Sequence, residues 1–309
     1  MQSQNCPQGR ACPVCQTPHS QAKLFFENNI DSKKLSSFSF ASRKTPEFMT
    51  HRLVQCPECD LVYANQPPSE DELARAYHVA DYDSAEEACD AATAYMQAMQ
   101  PTLLHLVPKH TALEIGTGTG VLLEQLKRAG FDSVVGVEPS VAAIAAAPEH
   151  RKAWIREGIF VESDYQPESL DLICCFMTME HVRDPKVIAD AALRLLRPGG
   201  AFITVTHNYR SLVNRLLGGR SPIIDIEHMQ IFSDASIRRL FEGSGYNSVS
   251  VTAFANRYAL GYWMRLSPLP SVFKSTVMHC FNWLGWSRWK LRVNVGNTIA
   301  VGFKPVAVP

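Results

Sequence analysis

The chain has 309 residues and no formal net charge, enough for one large core plus a small accessory module, and too much to depend on staples throughout. No run of about 18 apolar residues marks a transmembrane helix, the opening Met1-Gln2-Ser3-Gln4-Asn5-Cys6 lacks the regions of a signal peptide, and nine cysteines, including adjacent Cys174-Cys175, fit a reduced cytoplasmic protein better than a disulfide framework. Charge is unevenly spread: residues 67–242 carry 16 Lys/Arg and 25 Asp/Glu, whereas residues 243–309 carry seven Lys/Arg and no acid, so the C-terminal part is expected to face something anionic.

In chain order, Cys12-Pro13-Val14-Cys15 and Cys56-Pro57-Glu58-Cys59 are paired Cys-x-x-Cys knuckles. Four thiolates complete a closed tetrahedral Zn²⁺ shell, which makes the metal structural, with Cys6 and His19 as substitutes for one ligand. Alternating segments at Phe38 to Phe40, Arg52 to Gln55 and Leu61 to Tyr63 suit a β-ribbon, giving a zinc-ribbon-like module over 1–66. Asn65-Gln66-Pro67-Pro68 reads as a linker and Ser69-Glu70-Asp71-Glu72 as a capping box that opens a helix. Residues 84–105 read helical, so 67–106 is expected to be a helical linker or lid.

From Ala112 onward strands near 112–116, 133–138, 153–156, 171–176 and 201–206 alternate with helices near 119–129, 140–147, 185–196 and 234–243. This predicts an α/β fold with a doubly wound, mostly parallel sheet that binds ligands at the carboxyl ends of its strands. Asp184-Pro185 reads as an N-cap acid followed by proline at N1. Asn247 to Phe254 and Thr298 to Lys304 are final strands. Between them, 255–297 forms an insertion within the domain 107–309 and holds four of the five tryptophans. Leu113-Glu114-Ile115-Gly116-Thr117-Gly118-Thr119-Gly120 joins a strand to a helix through a glycine-rich turn, a nucleotide-binding corner whose G-x-G-x-G spacing departs from the dinucleotide fingerprint.

Glu114 to Gly120 resembles the first motif of class I S-adenosylmethionine-dependent methyltransferases, and four later stretches follow in that family's order. They are Val134 to Pro139, Leu170 to Phe176 with Met179-Glu180-His181-Val182, Leu196-Arg197-Pro198-Gly199-Gly200, and His228 with Phe232-Ser233 and Gly243 to Tyr246, the last resembling the ubiquinone-pathway O-methyltransferase branch. The resemblance implies a seven-stranded, Rossmann-like sheet and S-adenosylmethionine as cofactor. It further implies that Glu114, Gly116, Thr117, Gly118 and Gly120 form the cofactor loop, that Glu138 beside Pro139 accepts the ribose hydroxyls, and that Phe160 and Phe176 flank the adenine.

Methyl transfer to a weak nucleophile also needs a base. His181, after the fourth strand, is the first choice, with His207 and His228 second. The branch's Glu-x-x-Glu-His run, which holds a divalent ion there, reads Met177-Thr178-Met179-Glu180-His181 here, and Met177 replaces the first carboxylate. The expected acceptor is a small anionic molecule: a sugar, nucleotide-sugar, glycan or lipid-linked intermediate. RNA base methylation and a non-catalytic scaffold are the alternatives, and the ribbon's lack of a basic stripe speaks against nucleic acid. Trp263, Trp283, Trp286 and Trp289 with Arg257, Arg265, Lys274, Arg288, Lys290 and Arg292 are expected to form a basic aromatic cap that meets a phosphate-bearing acceptor or an anionic membrane face.

Overall fold

A computed structural model describes residues 9–36, 38–41, 47–82, 85–267 and 269–306; Cys6 lies outside them. The elements run β1 (Lys23–Phe26), β2 (Leu53–Gln55), β3 (Val62–Ala64), α1 (Glu70–His78), α2 (Ala85–His105), β4 (Thr111–Ile115), α3 (Val121–Arg128), β5 (Ser133–Glu138), α4 (Val141–Ala146), α5 (Glu149–Lys152), β6 (Ile155–Glu157) and β7 (Leu170–Phe176). They continue with α6 (Pro185–Leu195), β8 (Leu196–His207), α7 (Leu212–Leu217), β9 (Gln230–Ile231), α8 (Asp234–Ser244), β10 (Asn247–Ala259), α9 (Leu260–Leu266), α10 (Ser271–Trp283) and β11 (Lys290–Phe303).

The main sheet has the order β10-β11-β8-β7-β4-β5-β6, with β11 antiparallel to both of its neighbours and the remaining pairs parallel. Its centre, β7, is buried at every position, as a strand covered by helices on both faces must be. The acid within it, Asp171, is tolerated because it accepts the backbone N–H groups of His110 and Thr111 at 2.8 and 2.7 Å and pairs with Arg197 at 3.2 Å. On α3, Val121, Leu122, Leu123 and Leu126 are buried against the sheet, while Glu124 and Arg128 keep to the outer face. The strand order reverses between β4 and β7, which opens a crevice at their carboxyl ends.

The sequence-based elements of the sheet are found within a few residues, with differences that have local causes. The helix expected from 119 starts at Val121, because Gly120 is left-handed at φ 70° and acts as the N-cap. Asp184 precedes Pro185 of α6 but does not cap the helix; its carboxylate pairs with Arg10 at 3.5 Å. Phe38 to Phe40 form a turn, and β1 supplies the third ribbon strand in their place. That ribbon is completed by a strand far along the chain, since β9 pairs antiparallel with β3 in a four-stranded sheet β1-β2-β3-β9.

The expected insertion at 255–297 is narrower than its sequence suggests. β10 and β11 continue as a long hairpin through Ala259 and from Lys290, so that α9 and α10 sit at its tip. Its cations are also not free of acids: α2 sends Glu87 to Arg265 at 3.1 Å and Asp90 to Lys290.

Candidate active site

A cavity of about 420 Å³ lies over the carboxyl ends of the strands, and Glu114, Gly116, Thr117, Gly118, Glu138, Pro139, Phe160, Phe176, His181, His207 and His228 all line it. Gly120 does not; it turns the chain into α3, beside Arg151 and Ile155. At Gly116, φ is +76° and a Cβ would lie 2.2 Å from the Thr178 hydroxyl, so only glycine fits there. Glu114 is buried and accepts a hydrogen bond from the Thr117 hydroxyl, which pins the loop from below.

Glu138 ends β5 and spreads its two oxygens: one accepts the Gly118 N–H at 2.7 Å, the other the Ser140 N–H at 2.9 Å. Burial pushes its pKa up against those two backbone donors. Each oxygen retains a lone pair for a further donor, as two ribose hydroxyls would supply. A Cβ at Gly118 would meet nothing within 4 Å, and the buried Tyr82 hydroxyl, also in the cavity wall, lacks a partner. Open space over a glycine loop, spare acceptors on a strand-end acid and an unspent hydroxyl fit the nucleoside and amino-acid parts of S-adenosylmethionine. Phe176 meets Tyr95 edge-on at 4.9 Å and Phe160 stacks on Tyr165 at 5.9 Å, so both rings are held as walls.

The other half of the cavity is built around Glu180, buried between β7 and α6. Its carboxylate accepts the His207 backbone N–H at 2.7 Å and faces the ring Nδ1 at 3.1 and 3.2 Å. Burial opposes a charge on Glu180, but His207, followed by His228 and His181, outweighs it and holds the acid at about 2. Burial likewise disfavours the imidazolium of His207, yet the charge and hydrogen bond of Glu180 lift its pKa above the ordinary value.

His181 has a different setting. Its Nδ1 lies 3.0 Å from the Tyr77 hydroxyl of α1 and 3.1 Å from the Glu227 carbonyl oxygen. His228, 4.9 Å from His181 between ring centres, has Nδ1 2.9 Å from the Ile223 carbonyl; burial, then the charge of His181, pushes it down to about 3. Glu180, His181 and His228 could offer one ligand atom each within 4.8 Å, and the same groups are hydrogen-bonded to their surroundings, Glu180 to His207 and the Nδ1 of His181 to Tyr77. Tyr77, Tyr82, Asn256 and Asn297 also line the cavity without having been marked by the sequence motifs.

In the ribbon, Cys12 and Cys59 sulfurs are 3.5 Å apart, as are those of Cys15 and Cys56, and all four lie within 4.8 Å. Such spacings exceed a disulfide bond of about 2.05 Å and match the roughly 3.8 Å edge of a tetrahedron with Zn–S bonds of about 2.3 Å. His19 is not part of the cluster.

This strand order, with a glycine loop and a strand-end acid converging on one cavity, defines a class I S-adenosylmethionine-dependent methyltransferase. A family model described as a methyltransferase domain matches residues 85–251, and the chain belongs to that family. It is similar to the ubiquinone biosynthesis O-methyltransferase of Methylococcus capsulatus, 32% identical over 40% of this chain and 56% of that protein. A protein of the same name from Idiomarina loihiensis is 31% identical over 50% of this chain and 72% of its own length. The chain thus spans little more than half of the first of these relatives. Among solved structures, a possible histamine N-methyltransferase of Thermotoga maritima aligns with a TM-score of 0.47 at 20% identity, over 70% of this chain and 90% of that one.

Proposed function

We propose that this methyltransferase acts on a hydroxyl oxygen of a small-molecule acceptor, with His207 as general base and Glu180 as the group that orients it. The observation that carries the reading is the buried Glu180–His207 pair in the wall of the same cavity as Glu138. Bound S-adenosylmethionine supplies an electrophilic methyl group. A hydroxyl is a weak nucleophile until its proton is removed, and His207 is arranged to take that proton, because Nδ1 is committed to a carboxylate and Nε2 is left to accept. Glu180 stays ionised and stabilises the imidazolium that forms. His228 is held neutral by burial, and the His181 Nδ1 is 3.0 Å from the Tyr77 hydroxyl, whereas the His207 Nδ1 meets the Glu180 carboxylate directly. The names of the relatives, which are O-methyltransferases, point the same way.

Glu114, Gly116, Thr117, Gly118, Glu138, Pro139, Phe160 and Phe176 would hold the cofactor, and Cys12, Cys15, Cys56 and Cys59 one structural Zn²⁺. For the acceptor we favour a sugar, nucleotide-sugar, glycan or lipid-linked molecule. Tyr258, Tyr262 and Trp263 offer a stacking wall, while Arg257, Arg288 and Arg292, exposed on the arm formed by the β10–β11 hairpin with α9 and α10, suit phosphate or an anionic membrane face. Release of S-adenosylhomocysteine with a panel of hydroxylated acceptors tests the base. His207→Ala should lower turnover about 10²–10⁴-fold with cofactor affinity unchanged by calorimetry; turnover at the full rate rejects the assignment.

A further inference from the structure

Two buried amides sit where the acceptor must lie, and most of their polar atoms have no partner. Asn297 is 1% exposed, lines the cavity, and neither its Nδ2 nor its Oδ1 meets a hydrogen-bonding group. Asn256 is 3% exposed and lines the same cavity; its Nδ2 donates to the Tyr258 hydroxyl at 3.3 Å, but its Oδ1 is bare. A buried amide left unpaired costs about 1–3 kcal/mol for each group. Three such atoms gathered in one wall of the cavity are accounted for by a ligand that completes them.

The strands explain how the amides come together. Asn297 of β11 is the register partner of His207 on β8, so their side chains leave the sheet on the same face as nearest cross-strand neighbours. On the next strand the register of β10 against β11 shifts between Phe254 and Asn256, an irregularity of the kind that re-aims a side chain. The amide of Asn297 therefore stands beside the imidazole of His207, and the carbonyl of Asn256 belongs to the adjoining strand of the same wall.

We infer that Asn297 and Asn256 form the acceptor-recognition site, and that they take a neutral group which both donates and accepts hydrogen bonds, a hydroxyl or carboxamide, next to the oxygen that is methylated. A carboxamide offers one donating and one accepting edge and no charge. It therefore matches a hydroxyl or another amide and gives a phosphate or carboxylate only half a partner. Any anionic part of the acceptor is left to the arginines outside the cavity. Such a site also discriminates strongly, because an analogue lacking the group leaves the amides as they are now, buried and unpaired. The inference rests on the reading of His207 as base for the location of the acceptor, but not for its test.

The experiment uses the full chain with its metal, saturated with S-adenosylhomocysteine, and the side-chain amide resonances of Asn297 and Asn256 in ¹⁵N-labelled protein. Titration with ethylene glycol and acetamide should shift the Asn297 signals, whereas inorganic phosphate and acetate at equal concentration should not. In parallel, Asn297→Leu replaces the two unsatisfied atoms by methyls with the same branching and no added heavy atom, the extra volume going into the cavity that Asn297 lines, so the melting temperature of the free protein should rise by about 2–4 °C, with S-adenosylhomocysteine affinity within twofold of the parent. An amide with a structural duty would give the opposite sign. The inference is overturned if phosphate or acetate shifts the Asn297 signals as much as the neutral probes do, if none of the probes shifts them, or if Asn297→Leu melts lower than the parent. Failure of the base assignment would show separately, as full turnover by His207→Ala with these probe responses intact.

Discussion

Glu138 has two duties that pull in the same direction. It anchors the glycine loop through the Gly118 N–H and keeps free acceptor capacity toward the cavity. Glu138→Ala should therefore weaken S-adenosylmethionine by about 2–4 kcal/mol, two charge-assisted hydrogen bonds from a buried site, and calorimetry showing unchanged affinity would remove it from the cofactor site. This acid was legible because a fixed spacing ties it to G-x-G-x-G. The Glu180–His207 pair was not, since 27 positions separate the two residues and only the adjacency of β7 and β8 joins them. Its signature is pH dependence. With His207 as the proposed base, the reacting form is the neutral imidazole, and because its pKa is raised the rate should climb as pH rises through a midpoint above about 6.5. In Glu180→Gln burial acts on His207 without the opposing charge, which should move that limb to lower pH, even as the maximum falls. For stability the signs differ. The depressed Glu180 contributes fully above about pH 4.3 and loses its share as pH falls toward 2, while the raised His207 contributes below about 6.5 and loses its share as pH rises through its folded midpoint. Glu180→Gln should therefore destabilise most between about pH 4.3 and 6.5, a window that thermal melts across pH would reveal or exclude.

At the scale of elements, the ribbon is built into the wall of the cavity around Glu180. Arg10, two residues before Cys12, donates to the carbonyls of Ala64 and Arg183 and pairs with Asp184, and burial lowers its pKa to about 10. Gln230 of β9, fully buried, donates to the carbonyls of Met179 and Val182 on either side of Glu180-His181, and the Met229 N–H donates to the Glu180 carbonyl at 2.8 Å. Asp60, next to Cys59, receives Arg210 at 2.8 Å and the Tyr209 hydroxyl at 2.6 Å, just beyond His207. Removing the proposed Zn²⁺ should accordingly loosen the Glu180 half of the cavity more than the glycine loop. After chelation, amide exchange at 179–184 and 207–210 should quicken at least tenfold relative to 114–120; equal effects on all three segments would mean that the ribbon is only a source of global stability. The Cys spacing made the knuckles readable from the chain. A two-residue strand such as β9 carries no periodicity, so its pairing with β3, and with it the dependence of the site on the ribbon, had no trace in the sequence.

For the molecule as a whole, the unusual feature is the arm. At its base Tyr262 and Trp263 wall the cavity; beyond, Trp283, Trp286 and Trp289 are 82%, 40% and 62% exposed, with Phe273, Leu284 and Leu291 also open to solvent. Had the tryptophans only filled a helical core, these rings would be covered. On the hairpin Arg257 and Arg292 are direct cross-strand partners, and like charges so placed repel unless an anion lies against them. Glu87 and Asp90 neutralise Arg265 and Lys290 at the arm's root but leave Arg257, Arg288 and Arg292 exposed. Interfacial aromatics with basic residues are the composition that settles in lipid headgroups, and each basic residue near an anionic surface contributes about 1 kcal/mol. Three arginines therefore imply roughly a hundredfold preference for anionic over neutral bilayers, reduced by salt. Sedimentation with vesicles of phosphatidylglycerol and phosphatidylcholine against phosphatidylcholine alone measures that ratio. Replacing Trp283, Trp286 and Trp289 by serine together should cost at least tenfold in vesicle affinity while S-adenosylhomocysteine binding is retained. Equal binding to the two vesicle types, or full binding by the triple variant, would leave the arm as a wall of the cavity with no part in membrane contact.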